Sequence, residues 1–130
     1  MNATELLQRY RAGDRQFAGL TLRGASLVEV DLSGANLQSS ALAGADFSGA
    51  DLSGANLHGA NLRGADLSGA LLNDADLSDA DLRGAELLGT DLRGANLEGA
   101  RLQAADYDNF TRFDPTLDLI RLHVTKVEPV

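Results

Sequence analysis

The chain of 130 residues has no cysteine, no tryptophan and only 5% aromatic residues. Without thiols, neither a disulfide framework nor a thiolate metal site is open to it. With so few rings, the core must be filled by aliphatic side chains rather than by the large aromatics that usually dominate buried area. No apolar run reaches 18 residues, and no charged-then-apolar leader opens the chain. The expectation is a cytoplasmic protein with no membrane contact. Basic residues are outnumbered, 11 Lys and Arg against 19 Asp and Glu, for a net charge of −8. That balance argues against direct nucleic-acid binding and favours solubility or a basic partner.

What fills the chain is a five-residue repeat. Counted in fives from Phe17 to Tyr107, nineteen pentads cover 15–109 without a slip. The central residue is Leu in sixteen of them, with Phe17, Phe47 and Tyr107 as the exceptions. Two residues earlier, fourteen positions are Ala; the others are Arg15, Leu20, Val30, Ser40 and Thr90. Thirteen residues directly before the centre are Asp, Asn or Glu, and thirteen residues two after it are Gly. A helix would return apolar residues at three and four, and a half-buried strand at two. A period of five is neither.

Extended residues two apart point to the same side. The Ala and the Leu of one pentad therefore face inward together, with the acid or amide between them facing out. The next inward pair needs a new segment, so the chain turns between pentads. Gly two after the centre tolerates the positive φ of a type II turn. Quarter-turns close a square coil every 20 residues, and coils stack about 4.8 Å apart, giving a tube roughly 23 Å tall. Sixteen buried Leu at about 1.5–3 kcal/mol each supply a core without rings.

Tandem A-[DN]-L-x-G, as in Ala65-Asp66-Leu67-Ser68-Gly69, resembles the pentapeptide-repeat proteins. The opening MNATELLQRYRAGDRQF is similar to the start of small cyanobacterial members. The resemblance implies an all-β fold, a right-handed quadrilateral β-helix of nearly five coils. It also implies a protein that is not generally catalytic. Some members are similar to duplex DNA in width and charge and bind DNA gyrase, giving fluoroquinolone resistance.

Three segments are expected: an N-terminal helical cap over 1–14, the β-helix over 15–109, and a C-terminal cap or tail over 110–130. Asn2 reads as a helix cap with Glu5 as its reciprocal partner. Leu6, Leu7 and Tyr10 share one face of a helix over 3–12, and Gly13 stops it. Leu20 and Val30, larger than Ala, are expected to widen the first coil to meet this lid. In the tail, Phe110 and Phe113 are expected to cover the last coil, and Asp114-Pro115 to start a short helix over 115–122. Its Leu117, Leu119, Ile120 and Leu122 need a partner surface, on the solenoid or on a second chain, so a homodimer through this segment is an expectation. HVTKVEPV carries no strong signal for structure.

All of the net charge lies in 15–109, with six Arg against fourteen acids. Residues 20 apart should stack. One face then carries Asp46, Asp66, Glu86 and Asp106 in a column, flanked by Glu29 and Asp108, with no basic residue. Its neighbour carries Arg23, Arg63, Arg83 and Arg101 against Asp81 alone. Two readings stay open for the acids. They serve the coil by bonding turn amides, or they contact a basic protein. Like charges 5 Å apart in water repel by only about 0.8 kcal/mol, so such a column needs no special cause. For the Arg stripe a solvated face is the simpler reading.

Catalytic and ligand motifs are wanting. Gly recurs by default, but no Gly-Lys-Ser/Thr follows to make a phosphate loop. His58 and His123 have no neighbours at ligand spacing, and no Ser–His–Asp set can be assembled. Asp74 and Asp79 replace corner Gly. Ca²⁺ needs six to eight converging oxygens, and the corners of a rigid square diverge. No cofactor is expected. A filled tube also lacks the cleft an enzyme needs. The function expected is a non-catalytic protein-binding or scaffold module presenting flat charged faces. The alternative is a DNA mimic that binds gyrase or a related topoisomerase.

Overall fold

The computed structural model describes residues 1–128. From Gln16 to Asp106, parallel bridges join residues 20 apart at every fifth position, as in Gln16 with Asn36, Thr21 with Ala41, Ser26 with Asp46 and Asp31 with Asp51. Four pentads thus complete one coil, and coils stack as parallel strands do. The pentad centred on Phe47 illustrates the bonding. Phe47 N–H donates to Asp66 C=O and Gly49 N–H to Ser68 C=O in the next coil. Asp46 N–H donates to Ala25 C=O in the coil before, and Ala50 N–H closes the turn on Phe47 C=O. Only Ser48 N–H is left over, and it donates to Asp46 Oδ1 at 3.0 Å. Asn56, Asn61, Asp66 and Asn96 take up the matching amide in their own pentads. An Asp or Asn suits the position before a centre because its short side-chain oxygen satisfies the one N–H that the stack leaves unpaired.

From Gly19 to Ala104 the position two after the centre holds a positive φ, 66° at Gly49, as the turn requires. Glu29, Ser39, Asp74, Asp79 and Ala104 adopt the same conformation without being Gly. Inside, every central side chain from Leu27 to Leu87 is fully buried, as is each Ala two before a centre from Ala35 to Ala85. Two wall positions are polar and satisfied. Thr90 Oγ1 donates to Leu67 C=O at 2.6 Å, and Ser40 Oγ accepts from Leu20 N–H at 3.1 Å.

Helix α1 spans Ala3–Arg11 and lies at the first coil. Asn2 Oδ1 accepts from Glu5 N–H at 2.9 Å, which is the cap the sequence predicts. Leu6 and Tyr10 are buried, while Leu7, Leu20 and Val30 are half-buried against the core. Tyr10 also ties the helix to the coil, donating its O–H to Ser33 C=O at 2.6 Å. The Arg15 guanidinium stacks 3.7 Å over the Tyr10 ring and donates to Tyr10 C=O.

The C-terminal end departs from expectation. The regular spacing changes by one residue, because Asp91 bridges Arg112 rather than residue 111. Thr111-Arg112-Phe113 therefore continues the repeat, with the extra residue between Asp106 and Thr111. Phe110 falls at the shifted corner over Gly89 and is 76% exposed instead of covering the last coil. Phe113 does pack on the core, edge-on to Tyr107 at 5.4 Å. The helix expected over 115–122 is shorter and starts later. Helix α2 spans Leu119–Leu122, because the Asp118 carboxylate accepts from Ile120 and Arg121 N–H and caps it there. Asp114 caps a turn instead, accepting from Thr116 N–H. Within α2, Leu122 rests on the core and Ile120 is 87% exposed. The segment without a sequence signal pairs: β2 (Thr125–Lys126) lies parallel to β1 (Asp106–Tyr107), Asp106 opposite Thr125. Residues 129–130 of the expected tail lie outside the described residues.

Candidate functional site

The bridges bring the acidic column together as one ladder, Asp46, Asp66, Glu86 and Asp106 in consecutive coils, with Ser26 before it and Thr125 after it. The same register keeps His58 over Ser78, whose Oγ lies 2.8 Å from His58 Nδ1.

The four acids are not equivalent. Asp46 accepts from both Ser48 Oγ and Ser48 N–H, and these bonds hold its carboxyl below the usual carboxylate range. Asp66 accepts from Ser68 N–H at 2.9 Å. Glu86 is exposed, one methylene longer, and takes up no turn amide among the described residues. The Asp66 charge, then desolvation, then Asp106 and Asp46 push its carboxyl above the usual range. The ladder thus combines Asp side chains that serve the backbone with a Glu that feels the summed negative field.

Glu29 sits at the first corner beside the ladder, its side chain lying over Gly49. Asp108 has a different task. In other coils the corner amide donates to a backbone carbonyl, but Gly89 N–H donates to Asp108 Oδ1 at 3.0 Å. The same oxygen accepts from Phe110 N–H and Thr111 N–H, while the one Thr111 hydroxyl proton goes to Leu87 C=O at 2.6 Å. Desolvation raises the Asp108 carboxyl, but these donors outweigh it and leave the group below its ordinary value. Asp108 therefore holds the one-residue insertion in place.

The basic stripe is partly neutralised. Arg83 grips Asp81 through Nε at 2.9 Å and NH2 at 2.7 Å, and this contact holds the Asp81 carboxyl low. Arg23, Arg63 and Arg101 are exposed and carry no ion pair among the described residues. Arg101 stacks on Asp81 along the ladder. Two faces further along the coil, Arg93 grips Asp91 in the same way and holds that carboxyl well down. Asp74 and Asp79 stand at adjacent corners, with their carboxylates over Gly94 and Gly99.

Two features escaped the sequence reading. The tube does have a cleft, a cavity of about 590 Å³ between α1 and the first coil, lined by Leu7, Arg11, Val28 and Glu29 among others. The run Val28-Glu29-Val30 puts Glu where the repeat has Gly and Val where it has Ala, and that departure is the signal that was present. Its Asp31 and Arg15 are already engaged, by Ser33 and by Tyr10. The second feature is the surface around Phe110, where a shallow cleft of about 130 Å³ is lined by Leu88, Asp108, Asn109, Phe110, Val127 and Glu128. No helix is long and apolar enough to cross a membrane among the described residues.

The family model described as pentapeptide repeats matches residues 16–54, 31–69 and 70–106. Among solved structures, the chain is similar to alr5209, a pentapeptide repeat protein from Nostoc Pcc 7120, at 45% identity and TM-score 0.61, covering 97% of this chain and 96% of that one. It is similar to Rfr23 from the cyanobacterium Cyanothece 51142 at 37% identity and TM-score 0.72, over 72% and 64% of the two chains. It is also similar to QnrB1, a plasmid-mediated fluoroquinolone resistance protein, at 25% identity and TM-score 0.67, over 73% of this chain and 51% of that one. No curated protein matches the chain.

Proposed function

This chain belongs to the pentapeptide-repeat family, whose fold is a right-handed β-helix, and we propose that it serves as a non-catalytic protein-binding module. In this reading the flat faces of a quadrilateral rod of nearly five coils present fixed charge to a protein partner in the cytoplasm. The observation that carries it is the ladder Asp46–Asp66–Glu86–Asp106, where one acid per coil lines a single face and Glu86 is held above its ordinary range by its neighbours. A rigid row of like charge selects a partner of opposite sign and speeds its approach. Arg23, Arg63 and Arg101, free of ion pairs among the described residues, form the competing surface. The exposed Ile120 in the C-terminal segment supports a homodimer as a further element of this reading.

Capture from host lysate with the unaltered chain, with Asp66 and Glu86 both changed to Ser, and with Arg63 and Arg83 both changed to Ser tests it. Loss of a partner in the acidic variant alone is expected. Loss in the arginine variant alone would move the working surface to the other face, and binding by both variants would remove the reading.

The similarity to QnrB1 favours a second reading, a DNA mimic acting on gyrase. The chain spans about half the length of that protein. Duplex DNA carries a charge per about 1.7 Å, whereas a ladder with one acid per coil offers one per about 4.8 Å. The basic stripe interrupts the likeness further. Inhibition of supercoiling by the purified protein would promote this reading over the first.

A further inference from the structure

The one-residue insertion between Asp106 and Thr111 is built, not tolerated. Asp108 Oδ1 accepts from the Gly89, Phe110 and Thr111 N–H groups to hold it, and Thr111 Oγ1 donates its one proton to Leu87 C=O at 2.6 Å on the far side of the bulge. The outcome is an aromatic ring in water. Phe110 is 76% exposed, with its Cβ over the Gly89 corner, and Val127, 40% exposed, lines the cleft beside it together with Leu88. Bulges of this kind commonly re-aim a side chain next to a working site. A large ring on a rigid, hydrogen-bonded loop is also the sort of group that dominates binding energy when a partner covers it.

Resting on the protein-binding reading above, we propose that Phe110, Leu88 and Val127 form the apolar anchor site for a basic polypeptide segment that carries a bulky apolar residue. Charge complementarity selects that occupant. Glu86 and Asp106 stand on the adjoining ladder, and the face has no basic residue within the repeat; beyond it, Lys126 on β2 is held 3.8 Å from Glu128, which lines the cleft. The apolar residue fills the cleft between Phe110 and Val127, and its basic neighbours run along Asp106, Glu86 and Asp66. An acidic or uncharged apolar segment would meet the same ring but the wrong field.

Two synthetic decapeptides test this, one of alternating Lys and Ser and one with a central Leu in place of a Ser, titrated against the full chain by calorimetry. The Leu peptide is expected to bind at least about tenfold more tightly. Phe110→Ser should abolish that difference and leave binding of the Lys–Ser peptide unchanged. Because the ring is exposed, this variant should unfold at the same urea concentration as the unaltered chain. Equal affinity for both peptides would overturn the anchor site while leaving the acidic face intact. Binding of neither would overturn both. Self-association of the unaltered chain that Phe110→Ser abolishes, seen by light scattering, would assign the patch to a second copy and overturn the proposal.

Discussion

At Gly94 two constraints coincide. Its φ of 76° is one that only Gly adopts freely, and a Cβ there would run into the Asp74 carboxylate stacked on it. Gly94→Ala should therefore lower stability by about 1–3 kcal/mol. Ala104 is the converse. It holds φ 62° at an exposed corner. Ala104→Gly should raise stability by about 0.5–1 kcal/mol, the left-handed strain outweighing the entropy glycine loses. Urea midpoints at constant slope would measure both, and a neutral Gly94→Ala would mean that the corner yields more readily than the hydrogen-bonded stack suggests.

The ladder is the element on which charge matters. Glu86 is raised in the folded state, so the native chain binds that proton more readily than the unfolded chain does. Its contribution to stability accordingly falls as pH rises through the carboxylate range, and the cost is complete above the folded value. Glu86→Gln should raise stability at neutral pH by less than about 1 kcal/mol, since the group is exposed and screened. The gain should shrink in high salt and vanish in acid. A gain that persists at acid pH would point to packing instead. The sequence was legible here because the five-residue frame assigns every side chain between 15 and 109 to a ladder, and the bridges follow that assignment. The tail was opaque for a physical reason. One extra residue leaves composition unchanged yet moves Phe110 from inside to outside, and only the match of Thr111-Arg112-Phe113 to a shifted frame marks it. The later start of α2 turns on a competition between two Asp caps, Asp114 and Asp118, that propensity alone does not rank.

For the whole molecule the balance of carboxylates favours alkaline over acid conditions. Asp31, Asp46, Asp76, Asp81, Asp91 and Asp108 all lie below the ordinary value, through bonds from Ser33, Ser48, Ser78, Arg83 and Arg93 and from the amides around the insertion. For each, the stabilisation is present above the unfolded value and is lost as pH falls through the folded one. Glu86 alone among the carboxylates of resolved shift runs the other way. The urea midpoint should thus drop steadily below the usual carboxylate range. A midpoint that rises there would mean that repulsion within the acidic face outweighs the turn bonds.

The four-pentad coil has one more consequence, for how such chains can lengthen or shorten. Duplicating or deleting four successive pentads leaves the helix at one end and the Phe110 bulge at the other in the same angular phase. A change of a single pentad keeps every buried Leu satisfied yet swings the bulge from the carboxylate wall to an adjacent one. Descendants that differ by one motif would keep the fold and exchange the company their protruding ring keeps.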